Sequence, residues 1–428
     1  MKERLAVVDG IRSPLAKAGG ELKDISADDL GAFVTKHIVA RNSVDPHEID
    51  EVIFGNVAQP ADAANVARVI ALKAGLPRNI PAYTVHRNCA SGMESISTAA
   101  NKIFAGEANV IIAGGTESMS NIPLLFNREY SSFVQSMMRA KTPQQKVRVL
   151  LGFRPRFLRP IIGVQQGLTD PISGMIMGDT AEVLAREFRI SRERQDEYAL
   201  LSHQRAVAAA EQGMLANEII PIPVGEYEKL LEHDSGPRPD QSAEALAKLR
   251  PYFDRHNGTV TVGNACPLTD GAAAVLLMSE KEAKRRKIEP LGYLREYAYA
   301  SLEPERMGLG PVYATSRLLQ KSKAQMSDFE VIELNEAFAA QVIANEIAFD
   351  SEAFAKQHLG RDTKVGFLDR NLLNPQGGAI AVGHPVGATG TRITVHVLRE
   401  LRRTGKNTGL ATLCVGGGQG AAFFLEVE

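Results

Sequence analysis

The sequence is poor in the features that mark secreted and membrane-spanning proteins. Only three cysteines occur in 428 residues, and they form no CxxC pair, which argues against a disulfide scaffold and favours a reducing compartment. No stretch reaches the roughly 18 apolar residues of a membrane helix, and the apolar run near the N-terminus is too short for a signal peptide. We therefore expect a soluble protein of the cytoplasm, or of the mitochondrial matrix if the source is eukaryotic.

Patterns for nucleic acid, metal and nucleotide phosphate are also missing. The formal net charge is −1, which gives no reason to expect a nucleic-acid partner. His86 and Cys89 have HxxC spacing, but no second pair of ligands accompanies them, so we expect no metal site. The run GGGQG at 416–420 leads into a strand instead of a helix, and no GK[ST] occurs, which argues against a phosphate-binding loop.

What the sequence does contain is an alternation of strands and helices. After NCASG at 88–92, apolar residues recur at helical spacing up to Gly106, and a buried strand at 110–113 ends in two glycines. The same order of turn, helix, strand and glycine turn recurs at 383–418. The pattern predicts an α/β protein with two related halves, and the length suits two or three domains.

Residues 121–170 break this alternation and are predicted to be an insertion. The segment mixes apolar side chains with basic ones, and between 128 and 159 only Glu129 is acidic. The eight basic residues there are Arg128, Arg139, Lys141, Lys146, Arg148, Arg154, Arg156 and Arg159. Three interpretations stay open for residues 128–160: an ordinary solvated loop, a peripheral contact with an anionic membrane, or a docking site for a partner enzyme.

Cys89 is the first candidate for chemistry. It stands just before Ser91-Gly-Met-Glu94, which has capping-box spacing, so its sulfur is predicted to lie at the start of a helix. Backbone N–H groups and the helix dipole there favour the thiolate, lower the thiol pKa and make a nucleophile. The structural alternative is a small buried hydrophobic residue.

Three further residues sit at sharp turns. His384 lies between Gly383 and Pro385, where a constrained backbone would aim it as a base, and its alternative is a structural histidine. Cys414 ends an apolar strand before three glycines, which allow close approach of a ligand, and its alternative is a core residue. Asn335 follows a predicted strand and is either an oxyanion donor or the N-cap of a helix.

Five motifs, taken together in their order and separations, resemble the thiolase family over essentially the whole chain. They are NCASG at 88–92, GNACPLTDGAAA at 263–274, NEAFAAQ at 335–341, GGAIAVGHPVGATG at 377–390 and CVGGGQG at 414–420. The resemblance implies a five-layer αβαβα fold of two similar βαβαβαββ halves with an inserted loop domain. The domains would be 1–120 with 250–283, the loop domain 121–249, and 284–428, usually in a homodimer or homotetramer.

The resemblance also implies roles. Cys89 matches the family's acyl-accepting nucleophile, His384 the histidine that activates it, and Cys414 the acid/base for the substrate α-carbon. Asn335, through a water and with His384, matches the group that stabilises the thioester enolate oxygen. The backbone N–H groups of Cys89 and Gly416 match a second oxyanion hole. No metal or cofactor is implied, because coenzyme A is itself a substrate.

The implied activity is cleavage of 3-oxoacyl-CoA by CoA in fatty-acid β-oxidation, through an acyl-cysteine and ping-pong catalysis. The resemblance implies that the arm of CoA contacts Met177, Cys266, Ala337 and Phe338. Ile176 and Cys266 depart from residues common in the family, His and Ser respectively. The basic insertion and MGDTAE at 177–182 resemble the β-subunit of the fatty-acid oxidation complex, which implies a hydratase/dehydrogenase partner subunit, although that group commonly has His at the position of Asn335.

Other functions stay open at this point. A biosynthetic thiolase that forms acetoacetyl-CoA would use the same residues. A non-catalytic CoA- or lipid-binding scaffold subunit would be expected to lose Cys89, His384 or Cys414, and all three are present. A ketoacyl synthase would be expected to carry two histidines in place of His384 and Cys414, and only one histidine here is flanked by glycine.

Overall fold

The computed structural model describes residues 3–42, 44–225 and 229–428. Its strands are β1 Leu5–Arg12, β2 Ala16–Lys17, β3 Glu51–Gly55, β4 Ala82–Val85, β5 Val110–Ser118, β6 Leu124–Phe126, β7 Pro160–Ile162, β8 Ile222–Val224, β9 Lys229–Leu231, β10 Thr269–Ser279, β11 Gly292–Ser301, β12 Val331–Leu334, β13 Thr408–Val415 and β14 Gln419–Glu426.

The α-helices are α1 Ala27–Asn42, α2 Val66–Lys73, α3 Ser91–Phe104, α4 Arg128–Arg139, α5 Pro143–Leu151, α6 Gly163–Gly167, α7 Met177–Glu187, α8 Arg192–Glu211, α9 Ala243–Ala247, α10 Glu280–Arg286, α11 Gly310–Ser322, α12 Ala339–Phe349, α13 Glu352–His358, α14 Ala379–Val382 and α15 Val386–Thr404. Short 3-10 helices are Pro46–Glu48, Met119–Asn121, Pro155–Leu158, Pro304–Leu309 and Met326–Asp328.

One large mixed sheet organises the molecule, with strand order β12-β13-β14-β11-β1-β10-β5-β3-β4. In one half, β11 pairs with β14 and β14 with β13 in antiparallel fashion, and β13 then pairs with β12 in parallel. In the other half, β1 pairs with β10 and β10 with β5 in antiparallel fashion, and β5 then pairs with β3 in parallel. The halves meet at β1 and β11, where Leu5 lies opposite Leu294. The α/β class is confirmed, and the domain boundaries stay a prediction.

The main core lies between this sheet and the helices α3 and α15. It contains the apolar face of each helix, represented by Met93 and Ile96 of α3 and by Ile393 and Val397 of α15. Burying side chains of this size stabilises the fold by about 1.5–3 kcal/mol each. The helical faces predicted from apolar spacing are therefore confirmed.

Glycines let α3 and α15 touch at their N-terminal ends. A Cβ added to Gly92 would lie 2.6 Å from the backbone N of Thr391, and one added to Gly390 would lie 2.4 Å from the backbone N of Met93. Real Cβ atoms essentially never come this close to backbone, so a larger residue at either position would force the helices apart. The two helix starts, which carry Cys89 and His384 just before them, are thus held at a short separation.

The insertion is built differently. The helices α4 and α5 contain no buried side chain, and Phe133, Phe153 and Phe157 form a small aromatic cluster with ring centroids 5.3–6.1 Å apart. Large apolar side chains point outward, with Met138 81% and Leu151 76% exposed. In the described residues, no helix has the length and apolar character needed to cross a membrane.

Candidate active site

Cys89 lies in a tight turn that ends where α3 begins. The preceding residue, Asn88, has φ 44°, and its side-chain Nδ2 donates a 2.8 Å hydrogen bond to the carbonyl oxygen of Gly416. The predicted helix start is confirmed, but the predicted capping box is wrong. The N-cap is Ala90 with no side-chain cap, because Ser91 Oγ donates to the Asn88 carbonyl at 2.7 Å and Glu94 pairs with Arg87.

The expected low pKa of the Cys89 thiol is also wrong. Burial raises this pKa, and hydrogen bonds from the backbone N–H groups of Gly416 and of Cys89 itself act in the opposite direction. Desolvation penalises the charged thiolate more than two N–H donors stabilise it. The sulfur is therefore a neutral thiol that has to lose its proton to a base when it reacts.

The turn that carries His384 is fixed by its backbone. Gly383 has φ 105°, and a Cβ there would lie 2.3 Å from Thr269 Oγ1, so the position requires glycine. The backbone N–H of His384 donates to the same Thr269 hydroxyl at 3.1 Å. This anchoring confines the imidazole to one orientation at the start of α15.

The hydrogen bonds of His384 determine its tautomer. Its Nδ1 lies 2.7 Å from Thr389 Oγ1, and that hydroxyl donates its own hydrogen to the carbonyl of Pro385 at 3.0 Å. The hydroxyl must then accept from Nδ1, so Nδ1 carries the proton and Nε2 has a free lone pair. Burial, reinforced by the positive charge of Arg392, lowers the pKa of His384 to about 3. His384 is a neutral base.

Asn335 sits just past the end of β12 and is 1% exposed. Its backbone N–H donates to the carbonyl of Thr412 at 3.0 Å, while neither atom of its side-chain amide has a partner among the described residues. The alternative role as an N-cap is wrong, because α12 begins only at Ala339. Buried polar atoms are almost always hydrogen-bonded, so this amide awaits a water or a ligand oxygen.

Cys414 lies at the end of β13 and is 1% exposed. Burial raises the pKa of its thiol well above the ordinary value, and negative charge on Cys89 or Cys266 would raise it further. The thiol is therefore protonated at neutral pH. It belongs to an apolar cluster with the four residues predicted to contact coenzyme A, which are Met177, Cys266, Ala337 and Phe338.

Those four residues come from three segments, at 177, 266 and 337–338, that hydrogen bonds and packing bring together. The backbone N–H of Cys266 donates to the carbonyl of Ala337 at 3.0 Å, and burial raises the pKa of the Cys266 thiol to about 12. Met177 reaches the glycine turn, since a Cβ on Gly416 would lie 3.3 Å from its sulfur. The contact of these residues with coenzyme A stays a prediction.

Three residues of the site were missed in the sequence. Thr389 and Arg392 set the tautomer and the neutral state of His384, and Glu117 lies close enough for its charge to raise the pKa of the Cys89 thiol. Thr389 lay inside a motif already singled out. Glu117 carried a signal of its own, because it is an acidic residue in the otherwise uncharged strand VIIAGGTES.

The site contains thiols, imidazole and amide without a metal cluster. Among residues 3–42, 44–225 and 229–428, no three His, Cys, Asp or Glu side chains are grouped so that they could hold an ion. The arrangement offers a half-buried thiol at a helix start, a neutral base, a buried proton donor, and an amide with no partner among the described residues. These groups suit transfer of an acyl group through sulfur.

Comparisons with known proteins cover the whole chain. Residues 5–281 match the family model described as thiolase, N-terminal domain, and residues 288–427 match that for the thiolase C-terminal domain. The 3-ketoacyl-CoA thiolase of Pectobacterium atrosepticum is 43% identical over 426 residues, covering 99% of this chain and 97% of that protein. That of Yersinia enterocolitica is 40% identical over 427 residues, with 100% and 97% covered.

Two solved structures share the fold. The acetyl-CoA acetyltransferase of Bacillus anthracis superposes with a TM-score of 0.86 at 38% identity, covering 99% of this chain and 98% of that one. Human mitochondrial 3-ketoacyl-CoA thiolase, solved in complex with CoA, has a TM-score of 0.86 at 37% identity, covering 100% of this chain and 98% of that one. The predicted resemblance and the predicted fold are confirmed.

Proposed function

The chain belongs to the thiolase family and is an acetyl-CoA C-acyltransferase, and we propose that it works in the degradative direction. It cleaves 3-oxoacyl-CoA with CoA to give acetyl-CoA and an acyl-CoA shortened by two carbons, as a step of fatty-acid β-oxidation. The catalytic residues are Cys89, His384, Cys414 and Asn335, with the backbone N–H of Gly416.

In the first half-reaction, His384 Nε2 takes the thiol proton of Cys89 while the sulfur attacks the 3-keto carbon. The bond between C2 and C3 then breaks, and its electron pair forms the acetyl-CoA enolate. Cys414 donates its proton to C2, and acetyl-CoA leaves. A water held by Asn335 together with His384 stabilises the enolate oxygen, and the N–H groups of Cys89 and Gly416 stabilise the oxygen on C3.

In the second half-reaction, the thiol of a new CoA attacks the acyl group on Cys89. The Cys414 thiolate left by the first half-reaction accepts the CoA proton, the carbon–sulfur bond to Cys89 breaks, and Cys89 regains its proton from His384. Every group ends in its starting state, so the cycle is ping-pong. Coenzyme A serves as a substrate, and Met177, Cys266, Ala337 and Phe338 line its arm.

One observation carries this proposal. His384 Nε2 and both side-chain amide atoms of Asn335 are buried without a partner among the described residues. Left without a hydrogen bond, each such buried atom costs roughly 1–3 kcal/mol. They support a site that is organised for a proton from Cys89 and for a ligand or water oxygen, which an acyl-cysteine mechanism requires.

The test is an assay of CoA-dependent cleavage across 3-oxoacyl-CoAs of four to sixteen carbons, with the reverse condensation of acetyl-CoA measured beside it. We expect cleavage of several chain lengths and slow condensation. Activity confined to acetoacetyl-CoA, with condensation at least as fast as cleavage, would identify a biosynthetic enzyme instead. Binding of CoA without turnover of any substrate would indicate a scaffold subunit.

We also propose a homodimer or homotetramer. The strand β12, at one end of the sheet, is buried beneath residues 371–374, with Ile332 bonded to Leu372 and Asn374. The strand β4, at the other end, has only half-buried side chains and pairs with a single neighbour among the described strands. An open strand edge supports pairing with a second copy. Light scattering after size-exclusion chromatography measures the assembly.

For the insertion, we propose a peripheral contact of residues 128–160 with an anionic membrane. Outward-facing apolar side chains, including Met138, Leu150 and Leu151, lie among eight basic residues and one acid. Each Lys or Arg near such a surface contributes on the order of 1 kcal/mol of attraction. The mixture supports shallow insertion of apolar side chains with basic ones at the headgroups.

Flotation with anionic and neutral vesicles, at low and high salt, tests the membrane contact. We expect binding to anionic vesicles alone, weakened by salt and lost when residues 135–160 are deleted. Met138→Ser with Leu151→Ser keeps the charges and tests the apolar part. Binding instead to a hydratase/dehydrogenase subunit would make the segment a protein-docking site, and no binding in either experiment would make it an ordinary loop.

A further inference from the structure

Glu117, near the end of β5, has a buried carboxylate that holds two loops by four N–H donors. Its Oε2 accepts from the backbone N–H of Gly387 at 2.8 Å and of Val57 at 3.1 Å. Its Oε1 accepts from the backbone N–H of Ala58 and the side-chain Nδ2 of Asn56, both at 2.9 Å. Among the described residues it has no Lys or Arg partner.

This pattern favours the ionised form of the carboxylate. Each oxygen accepts hydrogen bonds from two N–H groups. A proton on either oxygen would place an O–H donor opposite these N–H donors. Burial nevertheless raises the pKa of Glu117 to about 7, while the N–H bonds lower it. Keeping the buried Glu117 carboxylate ionised costs folding free energy. This cost suggests that the charge serves the active site.

Glycine packing shows what the carboxylate holds in place. A Cβ on Gly387 would lie 2.9 Å from Glu117 Oε2, and one on Gly115 would lie 2.0 Å from the Gly387 carbonyl oxygen. On the other side, a Cβ on Gly92 would lie 3.0 Å from that same oxygen. Gly387 is three residues after His384 and Gly92 three after Cys89, so this contact joins the base to the nucleophile.

We propose that Glu117 is a positioning residue that seats the His384 turn against the helix start carrying Cys89, and that its negative charge keeps the Cys89 thiol protonated until His384 takes the proton. Its charge disfavours a thiolate before His384 can accept the proton, and its bond to the Gly387 N–H holds the turn that carries the base. The inference rests on the proposed function, because it assigns Glu117 to that proton transfer.

The test compares Glu117→Gln, Glu117→Asp and a control, Asp50→Asn. Asp50 also anchors β5, at its opposite end, by accepting from the backbone N–H groups of Asn109 and Val110 at 2.6 and 2.9 Å. For each variant, the melting temperature, kcat and KM for cleavage, and the pH midpoint for alkylation of Cys89 by iodoacetamide are measured. Cys266 and Cys414 also face Cys89, and their raised thiol pKa keeps them uncharged near pH 7.

In E117Q, kcat should fall by roughly 100-fold, the size of effect that a 1 Å misplacement produces, with little change in KM. The alkylation midpoint of Cys89 should move to lower pH, because the charge that raised the thiol pKa is gone. E117D should keep the wild-type midpoint and lose part of kcat. D50N should lose only thermal stability.

Three results would overturn the proposal: a wild-type kcat or an unmoved midpoint in folded E117Q, full kcat in E117D, or an equal loss of kcat in D50N. If E117Q does not fold, the results for E117D and D50N still decide whether Glu117 is a positioning residue. If the wild-type protein cleaves no 3-oxoacyl-CoA, the proposed function fails. The alkylation midpoints then decide separately whether the charge of Glu117 acts on Cys89.

Discussion

Each half of the molecule contributes one cysteine to the site, from a different position in its fold and in different surroundings. Cys89 precedes α3 in a turn, is half-buried, and meets the backbone N–H of Gly416 from the other half. Cys414 ends β13 inside an apolar cluster and is 1% exposed. Burial raises the pKa of both thiols, that of Cys414 well above its ordinary value.

This difference shows how one kind of side chain takes two roles. A nucleophile needs access to the substrate and donors near the charge that forms on it. A group that carries a proton to carbon needs a high pKa and a dry environment, so that it stays protonated until the enolate forms. The turn provides the first environment and the strand end provides the second.

The largest effect is expected at Cys89. Cys89→Ala should abolish both cleavage and covalent acylation, because no other thiol is placed at a helix start beside a neutral base. Incubation of the wild-type protein with an acyl-CoA, followed by peptide mass spectrometry, should find the acyl group on Cys89. Cys89 should also be alkylated fastest of the three thiols, since the pKa values of Cys266 and Cys414 are raised further. An acyl group on Cys266 or Cys414 would contradict the assignment of Cys89 as the nucleophile.

Cys414→Ala should separate the two roles. Without the proton donor, cleavage should fall roughly 100-fold or more, the usual range for a general acid/base. Cys89 should still accept an acyl group from an acyl-CoA, although more slowly, because CoA can leave as a thiolate without the proton of Cys414, whereas the enolate carbon cannot do without it. Cleavage rates and the stoichiometry of acylation are measured on the same preparation. A nearly wild-type rate would remove Cys414 from the mechanism.

A somewhat smaller loss is expected for Asn335→Ala. Removing one donor to a developing oxyanion costs roughly 100-fold at the lower end of the known range. The effect should appear in kcat, with KM for CoA little changed, because the water held by the amide acts on the enolate oxygen only as charge forms. Since its amide atoms have no partner among the described residues, the melting temperature should not fall. A lower melting temperature with unchanged kcat would make Asn335 a structural residue.

The smallest effect concerns acid stability. The pKa of His384 is lowered to about 3 by burial, against about 6.5 in an unfolded chain. Between these values the unfolded chain binds a proton that the folded protein does not, so stability falls as pH drops from 6.5 towards 3, by up to about 1.4 kcal/mol per pH unit. Urea unfolding at pH 7, 6 and 5 should show a shallower loss in His384→Gln. Equal slopes in both proteins would mean that His384 is not buried as a neutral base.

Much of this fold was accessible from sequence patterns. The apolar spacing after Cys89 and after His384 predicted the buried faces of α3 and α15, because a helix face depends on residues only three or four positions apart. The glycine-flanked turns marked Cys89, His384 and Cys414 for the same local reason. Local patterns failed at caps. Glu94 had a competing partner in Arg87, and Asn335 lay four residues before its helix.

The sequence by itself therefore determined the class of fold, the helix faces, and the residue types available for acyl transfer. Only the tertiary structure decided how those residues are protonated. The directions of the Cys89 and His384 pKa shifts depend on desolvation, and Cys89 and Glu117 also meet N–H donors from distant segments, those of Gly416 and Gly387 respectively. Desolvation depends on everything packed around a group, which no local stretch of sequence contains.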